Sequence, residues 1–216
     1  MIRRQTIVGV FVGAFVIAIA AQAAAAPLTV ANASFEDPVR NDGGFGPPIT
    51  GWSGTGDHGV WNPTASQVLL VPDLLQIGFS NGGTVSQVLS DVLAADTAYT
   101  LEVDALRRID GCCGSPTFTI ELLAGSTVLD SESLDYTLLA PGQIVTLTAS
   151  FVTGGAHAAL GQVLGIRFTS VGQQSDFDDV RLDATAVSAG VPEPASLLLL
   201  GSGLIGLAAA ARKRRS

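Results

Sequence analysis

The sequence predicts an all-β body of two packed antiparallel sheets, with an N-terminal signal helix before it and a C-terminal transmembrane helix after it. Between residues 27 and 190, short apolar-alternating stretches are punctuated by Gly, Pro, Asn and Asp, and none holds a helical period for three turns. At the amino end Arg3 and Arg4 precede an apolar run from Ile7 to Ala21. At the carboxyl end residues 195–211 carry no charge and lead into Arg212, Lys213, Arg214 and Arg215. The chain therefore divides into a signal peptide (1–26), a β-sandwich domain (27–186), a linker (187–194), a membrane-spanning helix (195–211) and a basic cytoplasmic tail (212–216).

Ala23 to Ala26 supplies an Ala-x-Ala cleavage site before Pro27, which completes the pattern of a secretory signal peptide. Six of the eleven basic residues lie in the two terminal segments, so the exported body carries five arginines, no lysine and eighteen acids, about −13. Such a charge disfavours nucleic acid and anionic lipid as partners and suits calcium or a neutral polymer such as polysaccharide.

Strands are expected over Leu28–Ala33, Val60–Trp61, Gln67–Val71, Leu74–Phe79, Thr84–Leu89, Tyr99–Arg108, Thr117–Leu123, Ser126–Leu134, Gln143–Phe151, Val163–Ser170 and Asp176–Ala184. In Tyr99–Arg108 the alternation is clean, with Tyr99, Leu101, Val103 and Ala105 facing inward and Thr100, Glu102 and Asp104 outward. Thr84–Leu89 alternates imperfectly, and its register stays open. Ser80-Asn81-Gly82-Gly83 and Ala124-Gly125-Ser126 supply residues tolerant of positive φ, which tight hairpins require.

Asp37 to Pro63 is a long Gly-, Pro- and Asp-rich loop holding Phe45, Trp52, His58 and Trp61, and loops of that length are commonly functional. Each tryptophan has two readings, a plug for the sandwich core or an exposed platform for a sugar ring.

The last segment reads Pro192-Glu193-Pro194, an apolar span and a terminal Arg/Lys cluster. Two prolines keep the tripeptide extended, and about seventeen residues at about 1.5 Å each reach about 25 Å, a short span. The basic cluster stays cytoplasmic because Lys and Arg beside a span resist translocation. Gly201, Gly203 and Gly206 spell G-x-G-x-x-G, but no βαβ unit surrounds them. The three parts in this order resemble the PEP-CTERM sorting signal of exopolysaccharide-producing Gram-negative bacteria. That resemblance implies transient anchoring in the inner membrane, recognition of Pro192, Glu193 and Pro194 by an exosortase-type protease, and delivery to the cell surface or extracellular matrix.

A second resemblance spans the body. Asn32-Ala33-Ser34-Phe35-Glu36, Gly51-Trp52 and Asp176-Phe177-Asp178-Asp179-Val180-Arg181-Leu182 are similar to galactose-binding-like jelly-roll domains, the architecture of many carbohydrate-binding modules. It implies adjacent first and last strands and a structural calcium, here held by Glu36 and Asp178 with Asp179 as a further ligand. Calcium chemistry agrees, since the ion takes six to eight oxygens from carboxylates and carbonyls, although Asp178 and Asp179 on a regular strand would face opposite ways. In a sugar-binding jelly roll the loop from Arg107 to Pro116 would help line the ligand face, with Arg107, Arg108 and Asp110 as polar contacts beside Trp52 and Trp61. Solvated loop and edge residues are the plain alternative.

Cys112 and Cys113, flanked by Gly111 and Gly114, are the only cysteines. In an exported protein they read as a vicinal disulfide or as loosely paired thiols at a loop tip; an intermolecular bridge remains open, and the spacing is poor for metal. For catalysis only His58 and His157 are available as imidazole bases, and no G-x-S-x-G, H-E-x-x-H or P-loop motif occurs. Four glutamates (Glu36, Glu102, Glu121, Glu132) lie in the body, and a solvated outer face accounts for those within strands. The sequence thus points to a non-catalytic exported module that binds carbohydrate or exopolysaccharide, with a structural component of biofilm matrix and a glycoside hydrolase as alternatives.

Overall fold

The computed structural model describes residues 24–113, 116–187 and 203–204. Twelve strands occur among them: β1 (Ala26–Pro27), β2 (Phe45–Gly46), β3 (Ser53–Gly54), β4 (Asp57–Trp61), β5 (Ile77–Asn81), β6 (Gly83–Val92), β7 (Thr97–Leu106), β8 (Thr117–Ala124), β9 (Thr127–Asp135), β10 (Ile144–Val152), β11 (Val163–Val171) and β12 (Ser175–Ala186). They form two antiparallel sheets. The first has the order β10-β7-β12-β5-β4-β2, with β1 beside the far end of β12, and the second the order β3-β6-β11-β8-β9. The two-sheet all-β architecture read from the sequence is the one observed. The Pro-Glu-Pro motif and all but two residues of the expected sorting helix lie outside the described residues, as does nearly all of the signal peptide. Among the described residues no helix is long and apolar enough to cross a membrane.

Period-two patterning builds the core. Tyr99, Leu101, Val103 and Ala105 of β7 are buried while Thr100, Glu102 and Asp104 are only partly so. In β6 the register left open resolves with Val85, Gln87 and Leu89 inward and Val88 outward. A buried glutamine is tolerated because its amide is satisfied: Gln87 Oε1 accepts from Ala31 N, and Nε2 donates to the carbonyls of Ala31 and Gly51. Between the sheets Phe35, Phe118, Phe168 and Phe177 are fully buried and pack ring to ring, with centroids 5.0 Å apart for Phe168–Phe177 and 5.2 Å for Phe118–Phe177.

Three expectations need correction. Leu28–Ala33 and Gln67–Val71 are not strands, and the strand expected from Leu74 begins at Ile77. The first stretch instead follows β12 with one ladder bond, Leu28 N to Leu182 O at 2.8 Å, before turning at Asn32. The expected hairpin at Asn81-Gly82-Gly83 is a crossover: β5 belongs to the first sheet and β6 to the second. Gly83 sits at φ +87°, and a Cβ there would stand 2.3 Å from the Thr55 carbonyl oxygen, so the chain can pass between sheets only without a side chain. The Gly125 turn between β8 and β9 is a true hairpin.

The outer face of the first sheet is also covered at one end. Because Val60 and Gly78 face the main core, their neighbours Trp61, Ile77 and Phe79 face outward, and with Leu106 and Val68 they form a second, smaller cluster under the 62–76 loop. This second cluster makes the site.

Candidate functional site

Phe177 points into the main core, so its neighbours Asp176 and Asp178 lie on the outer face, where loops bury both to 1 % exposure or less. Asp176 is the residue in register with Phe79 of β5 and Leu106 of β7. Its Oδ1 accepts from Gln174 Nε2 at 2.9 Å. Burial pushes its carboxyl up to about 7; the Gln174 hydrogen bond and the nearby Arg108 charge act in the opposite direction without cancelling it. Tyr136 completes the support, since its hydroxyl donates to the Asp176 carbonyl at 2.7 Å, and burial holds that phenol well above its ordinary range.

Above Asp176, Arg108 is the hub. Its guanidinium carbon lies 4.3 Å from the centroid of the Trp61 ring, a cation–π contact. Its Nη1 donates to Gln174 Oε1 at 3.1 Å and its Nε to Asp110 Oδ1 at 3.0 Å, with a second ion-pair bond from Nη2 to Asp110 Oδ2. That pairing holds the Asp110 carboxyl below the usual range, against a smaller desolvation effect. Outside this hub lies a cavity of about 300 Å³ walled by Phe45, Trp61 and Phe79, with Gln67, Asn81, Gln173 and Gln174 as neutral amide groups and with Cys112 and Cys113 at one side. The two cysteines are joined as a vicinal disulfide with Cα atoms 3.7 Å apart.

The residues singled out in the sequence separate in space. Trp61, Arg108 and Asp110 come together with Cys112 and Cys113. Trp52 does not join them: it is a core residue, stacked on Phe168 at 5.2 Å with its Nε1 donating to the Ala31 carbonyl, so the platform reading fails for it. Arg107 donates to the Leu139 carbonyl and lines the small space over Asp176, not the aromatic pocket. The site also includes residues that patterning did not single out, namely Phe79, Gln174 and Asp176. The signal was present in the alternation Asp176-Phe177-Asp178, which puts both acids opposite a core phenylalanine.

Of the expected calcium ligands, Glu36 and Asp178 both bond the 73–76 segment, whereas Asp179 pairs with Arg181. Glu36 Oε1 accepts the N–H groups of Leu75 and Gln76, both at 2.7 Å. Asp179 lies in a bulge between Asp178 and Arg181, at φ +47°, and pairs with Arg181. The bulge overturns the simple alternation expected for the acidic pair. Asp178 Oδ2 accepts from Asp73 N at 2.9 Å, while its Oδ1 is buried without a partner. Burial raises its carboxyl to about 8. Among the described residues no three His, Cys, Asp or Glu side chains gather as a metal site.

His58 and His157 contact nearby backbone through their ring nitrogens, His58 Nδ1 at the Gly56 carbonyl and His157 Nδ1 at Ala159 N.

Solved structures similar to this one include an apo cyclase from Fischerella sp., 26% identical with a TM-score of 0.68, covering 76% of this chain and 98% of that one. The Stig cyclase Fisc from Fischerella sp. TAU, in complex with (3Z)-3-(1-methyl-2-pyrrolidinylidene)-3H-indole, is 25% identical with a TM-score of 0.68, over 76% of this chain and all of that one. A cyclase from the same source in complex with 4-(1H-indol-3-yl)butan-2-one is 25% identical with a TM-score of 0.65, over the same shares. No curated protein matches the sequence. Residues 190–215 match the PEP-CTERM protein-sorting motif, so the chain bears the signal of an exported protein sorted to the cell surface. Residues 26–183, nearly the whole sandwich, match the family described as HpiC1 cyclase, HpiC1-like, and the chain belongs to that family.

Proposed function

We propose that this surface-sorted domain binds one compact, uncharged ring in the pocket over Trp61. The observation that carries the reading is the pocket itself, about 300 Å³ with three aromatic walls and neutral amides at its rim. A pocket of that size takes a single ring system rather than a long chain. The cation among the described residues that line it, Arg108, is already paired with Asp110, so a charged ligand gains little there. A flat aromatic suits the walls better than a polysaccharide: Trp61 is 2 % exposed and lies under Arg108, not open as a platform. Indole-type ligands in the Fischerella cyclases agree with that preference.

Binding is tested by titrating the full-length chain with indole and, separately, with a panel of sugars and polysaccharides, beside Trp61→Ala. Saturable indole binding lost in Trp61→Ala supports the reading. Retention on a polysaccharide that depends on Trp61 would transfer the site to carbohydrate. Binding of neither refutes it and leaves a structural role at the surface or in the matrix.

A second reading, acid catalysis on the bound ring, is favoured by Asp176. A carboxyl with a pKa of about 7 is half protonated near neutrality and suits a general acid. In the geometry described, Gln174 and Arg108 stand between Asp176 and the pocket, so this reading requires them to part. The cyclases to which the chain is similar make ring-closing turnover the assay, and turnover retained in Asp176→Asn would exclude Asp176 from it.

A further inference from the structure

We propose that Cys112 and Cys113 form a redox-operated latch on this pocket: as a disulfide they hold the loop tip as a wall, and as two thiols they release it and uncover Trp61. The inference rests on the reading of the pocket as a ligand site and adds its regulation.

Position carries the proposal. Both cysteines border the aromatic pocket, and both also border the small space over Asp176. One covalent bond therefore adjoins both features of the site. An unbroken polar chain links the tip to the buried acid. Cys112 N donates to Asp110 Oδ1 at 3.1 Å, Asp110 holds Arg108, Arg108 Nη1 donates to Gln174 Oε1 at 3.1 Å, and Gln174 Nε2 donates to Asp176 Oδ1 at 2.9 Å. A shift of the tip is thus felt at Trp61, through Arg108, and at Asp176, through Gln174.

Two further features tie the tip to the state of the sulfur bond. Cys113 sits at φ +76°, the left-handed region that residues with a Cβ occupy at a cost, and the bond to its neighbour restrains it there. Its sulfur lies 3.2 Å from Gln174 Oε1. Within a disulfide that sulfur has no proton to give, whereas a thiol becomes a donor and competes with Arg108 for the same oxygen. Cys112 is exposed, so an attacking thiolate can reach it. The step balances with an external dithiol: the Sγ–Sγ bond breaks, each sulfur gains one proton and one electron, and the dithiol leaves as its own disulfide. Reoxidation by a disulfide reverses it.

The test uses the full-length chain with and without dithiothreitol, reading acrylamide quenching of tryptophan fluorescence. Trp52 is locked in the core, so the change reports Trp61, and Trp61→Phe should abolish it. Local opening of the wall is expected to raise the quenching constant at least about twofold on reduction. A Cys112→Ser/Cys113→Ser chain should show the high value with or without reductant. Indole should bind about tenfold more weakly to the reduced form, as loss of one wall contact implies. Quenching unchanged after reduction, with both thiols shown free by iodoacetamide labelling, overturns the latch. So does labelling of both cysteines before reduction. If quenching responds while indole binds neither form, the latch stands and the ligand reading falls; if indole binds both forms equally with quenching unchanged, the latch falls and the ligand reading stands.

Discussion

Replacing Asp176 by Asn should make the domain more stable at neutral and alkaline pH. Asp176 titrates at about 7 in the folded protein against 3.8 for an ordinary Asp, so between those values the folded state holds a proton that the unfolded chain has lost. The sign follows by linkage: the contribution is fully favourable below about pH 4, falls as pH rises toward 7, and is flat above. At about 1.4 kcal/mol for each tenfold change in proton affinity, burying this carboxyl costs about 4 kcal/mol at about pH 8. That is a large fraction of the stability of a typical domain. The replacement amide cannot ionise, yet its Oδ1 can still accept from Gln174 Nε2, so the hydrogen bond survives while the pH-dependent cost is removed. Urea unfolding of the parent and of Asp176→Asn checks this. Midpoints should agree near pH 4 and separate near pH 8 by about 2 M in favour of the variant, taking a slope of about 2 kcal/mol per molar. Parallel pH profiles, or a variant weaker at both ends, would refute the assignment of a neutral buried acid at this position.

Trp52→Ala should destabilise the fold by about 3–5 kcal/mol in the same unfolding assay, because the ring fills the core against Phe35 and Phe168; a change below about 1 kcal/mol would contradict the core placement. Gly83→Ala should reduce soluble yield and lower the melting midpoint by more than about 5 °C, since a Cβ meets the Thr55 carbonyl at 2.3 Å in a left-handed backbone; a midpoint equal to the parent's would show that the sheet crossover tolerates a side chain. Calcium, the cofactor that the resemblance implies, would act through Asp178, whose Oδ1 lacks a partner, while Asp179 is already paired with Arg181. On that proposal calcium against chelator raises the melting midpoint of the parent but not of Asp178→Asn, and an unmoved parent midpoint retires it.

Much of the fold was legible because period two is written directly into the strands: Tyr99–Ala105 told inside from outside, and the structure keeps those faces. Legibility failed where loops decide burial. Leu28–Ala33 and Gln67–Val71 have strand-like composition, yet the first turns at Asn32 and the second becomes part of a lid over the outer face of the first sheet. The same limit applied to the site. Asp176 and Asp178 were visible as acids on one face of a strand, but whether that face meets water or a covering loop is not a property of the strand. Trp52 and Trp61 sit in one Gly-rich stretch with similar neighbours; one entered the main core, the other the outer cluster, according to which sheet face each backbone position met.

The class of the molecule is written in the residue string: an acidic, lysine-free, all-β body ahead of a sorting motif, with its only cysteines adjacent in a glycine-flanked tip. Those are properties of composition, period and local spacing, and they hold whatever the chain packs against. That Trp61, Arg108, the cysteine pair and Asp176 share a site follows from packing alone. Loops distant in the chain close over one end of one sheet there, and the loss of water under them turns an ordinary aspartate into an acid of about 7.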